Sequence, residues 1–253
     1  MAEVEYSVYF VPVPIGNRAD VTLRALDVLR KVDVIACEDT RHSGLLLSHY
    51  EIRKPLMSMH DHNEQSRAGE IAARAAGGES FAVISDAGMP GVSDPGYRLI
   101  QTLKEKEVSF TVLPGPSAVV TALVGSGLPT DAFFFGGFLP VKSGRKGSML
   151  QAAVEASHTS IFYESPHRIV KTVQALAALD PERYAPAAQR LEAVQEQVAA
   201  AEHDIAVLEQ QRKALQGTVR QLQAAEKVRV DLDTIQPEKT LTGAVKGVTV
   251  EQI

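Results

Sequence analysis

The chain has 253 residues, of which 45% are apolar and 23% charged, and its formal net charge is −5. This composition is typical of a globular protein with one large or two modest domains, and it excludes a globally basic nucleic-acid binder. No apolar run approaches the ~20 residues that span a bilayer. The acidic start, with Glu3 and Glu5, lacks the pattern of an export signal, and the single Cys37 excludes an internal disulfide. We therefore expect a cytoplasmic protein.

The first half of the chain alternates predicted strands and helices. Short apolar runs rich in β-branched residues predict strands at 8–13, 34–37, 81–84 and 110–113. Amphipathic segments predict helices from Asp20 to Val32 and over 44–50, 66–76 and 96–106. This alternation implies a parallel sheet that is covered on both faces and binds ligands at the carboxyl ends of its strands. We assign residues 1–116 to this N-terminal α/β domain.

A second, smaller α/β domain is predicted over residues 117–185. It contains predicted helices at 118–124, 148–156 and 169–179 and predicted strands at 133–135 and 160–163. The intervening segment Lys142–Gly147, KSGRKG, is expected to be a basic loop.

Residues 186–236 have a different composition, rich in Ala, Gln, Glu, Leu and Arg. Between 187 and 227 there is no Pro and a single Gly, and apolar residues recur at three-four spacing, interrupted by Arg212. This pattern predicts a long amphipathic helix or coiled coil. It is either an arm for oligomerisation or partner binding, or a helix that folds back over the second sheet. The segment 228–232 is strand-like, and 237–253 forms a tail.

Three loops rich in Gly and Pro follow predicted strands: 14–17 (PIGN), 85–96 (SDAGMPGVSDPG) and 114–118 (PGPSA). Glycine lets main-chain groups approach a ligand closely and proline restricts the loop, so these segments favour a ligand pocket at one sheet edge. For Gly91, Pro95 and Gly96 we favour the simpler interpretation that they shape the turn.

Eight motifs together resemble the bacterial 16S ribosomal RNA 2′-O-cytidine methyltransferases of the tetrapyrrole methylase superfamily. The resemblance covers about residues 6–184. In chain order the motifs are PIGN (14–17), CEDTRHSG (37–44), HDHNE (60–64), SDAGMPGVSDPG (85–96), PGPSA (114–118), SGLP (126–129), GFLP (137–140) and FYESPHR (162–168).

The resemblance implies a two-domain α/β fold that binds S-adenosylmethionine in the cleft between its domains. It implies a homodimer that methylates a cytidine in the decoding region of 16S rRNA, with the rRNA or the small ribosomal subunit as partner. By motif position, Phe162 and Tyr163 would flank the adenine. The other implied cofactor-binding residues are Pro14, Gly16, Asp86, Ala87, Gly88, Met89, Pro90, Ser117, Ala118 and Thr121.

Two polar motifs are implied to face the substrate. They contain the candidate catalytic residues Glu38, Asp39, Arg41, His60, Asn63 and Glu64. A ribose hydroxyl must lose its proton, and Glu38, Asp39, His60 and Glu64 are all possible acceptors; the sequence does not choose among them. CEDTR is alternatively a loop ion pair with a helix cap. HDHNE has metal-ligand residue types, but adjacent residues rarely converge on one ion, so we expect no metal.

Basic residues predict where the RNA backbone binds. Lys142, Arg145 and Lys146 lie in a segment, 132–154, that contains no acid, and Arg41 and Arg168 are further candidates. The alternatives are a solvated loop for the first three, and a simple helix start at Ser165 and Pro166 for the motif that contains Arg168.

After Tyr184 the chain departs from the family pattern, which continues with further strands of the second domain. The helical segment from 186 leaves open whether that domain is complete. Two alternative functions follow: methylation of a tetrapyrrole, and a non-catalytic scaffold that acts through its C-terminal helix.

Overall fold

The computed structural model describes residues 6–233 and contains a five-stranded parallel sheet. Its order is β3-β2-β4-β1-β5, and all paired strands are parallel. The strands are β1 Val8–Phe10, β2 Val34–Cys37, β3 Leu56–Ser58, β4 Phe81–Ile84 and β5 Phe110–Val112. The predicted parallel α/β fold is confirmed. β3 was not predicted, because three residues after a proline carry no periodic signal.

Helices cover both faces of this sheet. They are α1 Leu23–Lys31, α2 Thr40–His49, α3 Glu64–Ala76 and α4 Tyr97–Glu105. Because side chains alternate along a strand, Val34 and Ala36 pack with α3 and α4 in one core, while Ile35 and Cys37 pack with α1 and α2 in the other. The two cores sandwich the sheet and fix the loops at its carboxyl edge.

Side-chain caps decide where the helices begin. Thr22 accepts a hydrogen bond from the Ala25 amide at 3.0 Å, so α1 begins at Leu23, after a short 3₁₀ turn, Arg18–Asp20. The Asp39 carboxylate accepts from the Arg41 amide at 2.7 Å, so α2 begins at Thr40, four residues earlier than predicted.

A separate two-stranded sheet follows. Its strands, β6 Phe133–Phe138 and β7 Thr159–Tyr163, are parallel. In chain order, α5 Ala118–Gly125 precedes them, α6 Ser143–Glu155 connects them and α7 Ile169–Leu179 follows them. The expectation of a loop at KSGRKG is wrong, because residues from Ser143 onward form the start of α6. The division of domains at 116 and 117 stays a prediction.

The last described element is the helix α8, Pro181–Asp233. It begins at a proline, which suits the first helical position, and the Asp180 carboxylate accepts from the Arg183 amide at 3.1 Å. The strand-like interpretation of 228–232 is wrong, since these residues continue α8. Residues 237–253, the predicted tail, lie outside the described residues.

The chain divides into two compact units, with the boundary between Ala185 and Pro186. Between residues 6 and 233, no helix combines the length and the apolar character needed to cross a membrane.

Candidate functional site

Three loops converge at the carboxyl edge of the five-stranded sheet. The Val13 amide donates to the Gly88 carbonyl at 2.9 Å, and the Gly88 amide donates to the Val13 carbonyl at 3.0 Å. A Cβ at Gly88, whose φ is +80°, would lie 3.2 Å from Ile15 Cγ2 and 3.9 Å from the Pro116 carbonyl oxygen. Glycine at this position therefore lets the loops after β1, β4 and β5 meet.

The predicted cofactor residues lie in and around this junction. Pro14, Gly88 and Pro90 are buried, Asp86, Met89, Ser117 and Ala118 are half-buried, and Gly16, Ala87 and Thr121 are exposed. Ser117 precedes α5 without capping it through its side chain. The first amides of a helix lack intrahelical acceptors, so the start of α5 offers donors for an anionic ligand group. Gly88 was expected to contact the cofactor, but its amide and its carbonyl are both hydrogen-bonded to Val13.

Phe162 and Tyr163 lie on opposite faces of the two-stranded sheet and so cannot flank one adenine together. Phe162 contacts Phe134, with ring centroids 6.3 Å apart, and lines a groove of about 330 Å³ against α6. Tyr163 packs on Phe135 at 4.9 Å. Burial, and then the charge of Asp94, raise the pKa of Tyr163, so Tyr163 is the ring that faces the 85–96 loop.

A cluster of carboxylates occupies the sheet edge beside the junction. Burial raises the pKa of Glu38, and the negative charges of Asp86, Asp94 and Asp61 raise it too. The pKa of Asp94 rises from 3.8 to about 6, first through burial and then through Asp86 and Asp61, against an opposing hydrogen bond from Ser85. The Asp39 amide donates to Asp86 Oδ1 at 3.4 Å, which joins the loops after β2 and β4.

Asp94 is the site residue that the sequence analysis missed. It follows Ser93, a non-glycine residue with φ of +61°, and Ser93 Oγ lies 3.3 Å from the position of a Cβ on Gly137 in β6. The loop thus reaches the second sheet at the point where Asp94 lies. The available signal was the second aspartate of the SDAGMPGVSDPG loop, to which the sequence analysis gave no role.

Two predicted acids cap helices. The exposed Asp39 caps α2, and its hydrogen bonds from the amides of Arg41 and His42 lower its pKa. Glu64 is only 5% exposed, and its Oε1 accepts from the Gly96 amide at 2.8 Å and the Arg98 amide at 2.9 Å, at the start of α4. Glu64 Oε1 is therefore occupied by backbone donors, and Oε2 lies 3.9 Å from Arg98 Nε.

His60 and Asn63 form a turn before α3. Asn63 Oδ1 accepts from the His60 amide at 2.8 Å, and Asn63 Nδ2 lies 3.2 Å from His60 Nε2. His60 Nδ1 is buried without a hydrogen-bond partner. No group of three or more His, Cys, Asp or Glu side chains is placed to hold a metal ion in the described part of the chain.

The predicted RNA-binding residues divide into two groups. Arg41, Lys142 and Arg145 are exposed. Lys146 and Arg168 belong instead to a polar network around Glu164, whose side chain is 4% exposed.

Within this network, Arg168 forms an ion pair with Glu164 and donates to the Leu139 carbonyl at 3.2 Å. Lys146 donates to Thr172 Oγ1 at 3.0 Å, and Thr172 donates to Glu164 at 2.6 Å. Burial opposes ionisation of Glu164, but the hydrogen bond from Thr172 and the charge of Arg168 keep its pKa below the ordinary value. Lys146 and Arg168 thus hold α6, β6 and α7 together.

The chain matches known proteins along most of its length. Residues 7–202 match the family described as Tetrapyrrole (Corrin/Porphyrin) Methylases. The ribosomal RNA small subunit methyltransferase I of Escherichia coli O157:H7 is 48% identical over 184 residues, which are 72% of this chain and 64% of that protein. The protein of the same name from Vibrio cholerae serotype O1 is 53% identical over 167 residues, or 66% of this chain and 58% of that protein.

The chain thus spans about three fifths of the length of these curated relatives. A crystal structure of diphthine synthase aligns with a TM-score of 0.56 at 16% identity, over 69% of this chain and 72% of that one, which is a likeness of fold. The resemblance predicted from the eight motifs is confirmed, and the chain belongs to the tetrapyrrole methylase family.

Proposed function

We propose that the chain transfers a methyl group from S-adenosylmethionine to the ribose 2′-oxygen of a cytidine in the decoding region of 16S rRNA, in the cytoplasm. The names of the relatives support this reaction. The observation that carries it is the carboxylate cluster of Glu38, Asp86 and Asp94, which lies where the loops after β2 and β4 meet. Tetrapyrrole methylation is not favoured by any feature of this site.

The site suits a ligand that is cationic at one end and anionic at another. S-adenosylmethionine supplies an electrophilic methyl group on a sulfonium, and it also has an ammonium and a carboxylate. The acids of the cluster would favour the two cations, while the open amides at the start of α5 would bind the carboxylate. Tyr163, rather than Phe162, would cover the adenine. The other proposed cofactor contacts are Pro14, Gly16, Asp86, Ala87, Met89, Pro90, Ser117, Ala118 and Thr121.

We assign proton acceptance to Asp94. The 2′-oxygen forms a bond to the methyl carbon, the carbon–sulfur bond breaks with its electron pair going to sulfur, and the hydroxyl proton goes to the Asp94 carboxylate. A carboxylate of pKa about 6 is largely ionised at neutral pH and is more basic than an ordinary aspartate. Glu38 would orient the ribose hydroxyl, while the occupied carboxylates of Asp39 and Glu64 hold helices in place.

Exposed Arg41, Lys142 and Arg145 are the proposed contacts to rRNA phosphates. Lys146 and Arg168 would support this surface through the Glu164 network rather than bind RNA directly. We further propose that the protein acts as a homodimer.

Calorimetric titration of the full chain with S-adenosylmethionine tests the cofactor. We expect one site per chain, and no binding to the folded protein would overturn the enzyme assignment in favour of a scaffold. Ribose-methylation mapping of 16S rRNA, in a deletion strain with and without this gene, tests the substrate. Restored methylation of a decoding-region cytidine is expected, and an unmodified cytidine in the complemented strain would refute the proposal.

Asp94→Asn is the variant that tests the proposed base. It should bind the cofactor and fail to restore methylation, whereas the matched Asp27→Asn, on the exposed face of α1, should behave as wild type. Full activity of Asp94→Asn would refute its assignment while leaving the reaction intact.

A further inference from the structure

The helix α8 has a heptad repeat whose seven-residue spacing is constant from residue 191 to residue 222. If Leu191 is placed at position a, every a and d position from 191 to 222 is apolar except one, Arg212. The a positions are Leu191, Val198, Ile205, Arg212 and Val219, and the d positions are Val194, Ala201, Leu208, Leu215 and Leu222. A strict seven-residue repeat of this length is typical of a supercoiled pair of helices, whereas a helix that packs on a globular core follows the 3.6-residue period.

Five of these apolar side chains are exposed to solvent. Val194 and Val198 are each 50% exposed, Ile205 57%, Leu208 62% and Leu215 67%. They lie on one stripe of a 53-residue helix. An isolated helix in water gains little from backbone propensity alone, so burial of this stripe against a partner is needed for stability.

We propose that α8 pairs with α8 of a second copy of this chain in a parallel, two-stranded coiled coil. The composition of the seam identifies the partner. Val and Ile at a together with Leu at d favour two parallel strands, while Ile at both positions, or Leu at a combined with Ile at d, favours larger assemblies. Three of the five a positions are β-branched, and three of the five d positions are leucine.

Arg212 sets the alignment of the two helices. A single polar residue at an a position specifies register and oligomeric state, because any other alignment would place it against an apolar layer. In the in-register parallel pair, the two Arg212 side chains share one layer. Their long apolar stems can pack in the seam while the guanidinium groups extend to solvent. A third helix would close that route and leave charges buried.

The flanking positions are compatible with self-pairing. Four of the eight e and g positions between 195 and 218 are glutamine, namely Gln195, Gln197, Gln211 and Gln216, so most contacts across the seam include an uncharged side chain and impose little charge selection. One acidic pair, Asp204 with the second copy's Glu209, would meet on the solvent-exposed rim. Repulsion there is screened by salt, so association should tighten as ionic strength rises.

Disulfide cross-linking of the full chain tests both the partner and the direction. In a parallel in-register pair, identical d residues face each other, so Leu215→Cys should form an interchain disulfide and give a band of about 55 kDa, twice the chain mass of 27.3 kDa. Gln210→Cys, at the outward f position, is the matched control and should stay monomeric on the same gel. Cys37 is fully buried and present in both variants.

Sedimentation equilibrium supplies a second measurement. Ile205→Asp with Leu208→Asp should weaken self-association at least tenfold, while Gln210→Asp should leave it unchanged. Equal cross-linking of Leu215→Cys and Gln210→Cys, or none for Leu215→Cys, would overturn the proposed pairing. Cofactor binding by the same variants reports separately on the methyltransferase site, since the pairing does not depend on the proposed reaction.

Discussion

The two sheets of residues 6–185 show how strand number decides what an α/β pattern can bury. In the five-stranded sheet, Phe10 and Phe81 are fully buried between helices on both faces. In the two-stranded sheet, Phe133, Phe134 and Phe138 are 46–55% exposed. Both sheets are parallel, and aromatic residues are denser in the smaller one, but each of its two strands is an edge strand, and a parallel pair is stable only when it is covered. We therefore expect the larger sheet to determine global stability.

The largest contrast is expected between Phe81→Ala and Phe138→Ala. Phe81 lies in the central strand β4, and its removal should lower the free energy of unfolding by about 3–5 kcal/mol, through lost burial and a cavity. Because the Phe138 side chain is 55% exposed, Phe138→Ala should lower the free energy of unfolding by about 1 kcal/mol or less. Urea denaturation followed by circular dichroism measures both. Similar losses of unfolding free energy in the two variants would show that both sheets contribute equally to global stability.

Gly136→Ala should show that the small sheet is nevertheless tightly packed at one point. A Cβ on Gly136 would lie 2.4 Å from Phe162 Cε1, so the ring must move, at a cost of about 1–3 kcal/mol. Gly144→Ala in α6, with nothing within 4 Å of its Cβ, should instead be neutral or stabilise by up to about 1 kcal/mol. Thermal unfolding of the two variants measures the difference, and equal melting temperatures would contradict this packing.

Glu64→Gln tests whether the buried Glu64 carboxylate stabilises the fold by accepting hydrogen bonds at the start of α4. The substitution keeps the shape but removes the charge that accepts from the amides of Gly96 and Arg98, so we expect a loss of about 1–2 kcal/mol. Glu105→Gln, at the other end of α4, should change stability by about 0.5 kcal/mol or less. Loss of methyl transfer at unchanged stability would instead make Glu64 a catalytic group.

Asp94→Asn is expected to have the smallest effect on stability, and the size of this effect depends on pH. The folded-state pKa is about 6, above the unfolded value near 3.9, so ionisation destabilises the folded state progressively as pH rises from about 4 to 6. Asparagine should therefore stabilise the protein by about 1 kcal/mol at pH 8, after allowance for solvent screening, and have no effect at pH 4.

Unfolding curves of wild type and Asp94→Asn at the two pH values measure this difference. Equal stability at both would mean that the pKa of Asp94 is not raised. Methyl transfer by the wild type should also fall as the pH drops through about 6, because the proposed base becomes protonated.

Local pattern predicted the larger sheet well. The strands 34–37 and 81–84 were located to the residue, because a wholly buried strand is a compact apolar run between turn residues. β3 was missed, since Leu56–Ser58 is only three residues long and too short to show a periodic pattern. Helix starts at Thr40 and Ser143 were also missed, because caps and first turns are polar and resemble loops.

The sequence by itself determined the family, the parallel α/β class, the loops that form the sheet edge and the heptad repeat of α8, because each depends on residues close together in the chain. The tertiary structure alone decided the roles of individual polar groups. Glu64 caps a helix that begins more than thirty residues later, Arg168 supports an ion-pair network, and Asp94 acquires a raised pKa from burial and from the charges of Asp86 and Asp61. Burial and electrostatic neighbours are properties of three-dimensional contacts, which residue type and spacing do not contain.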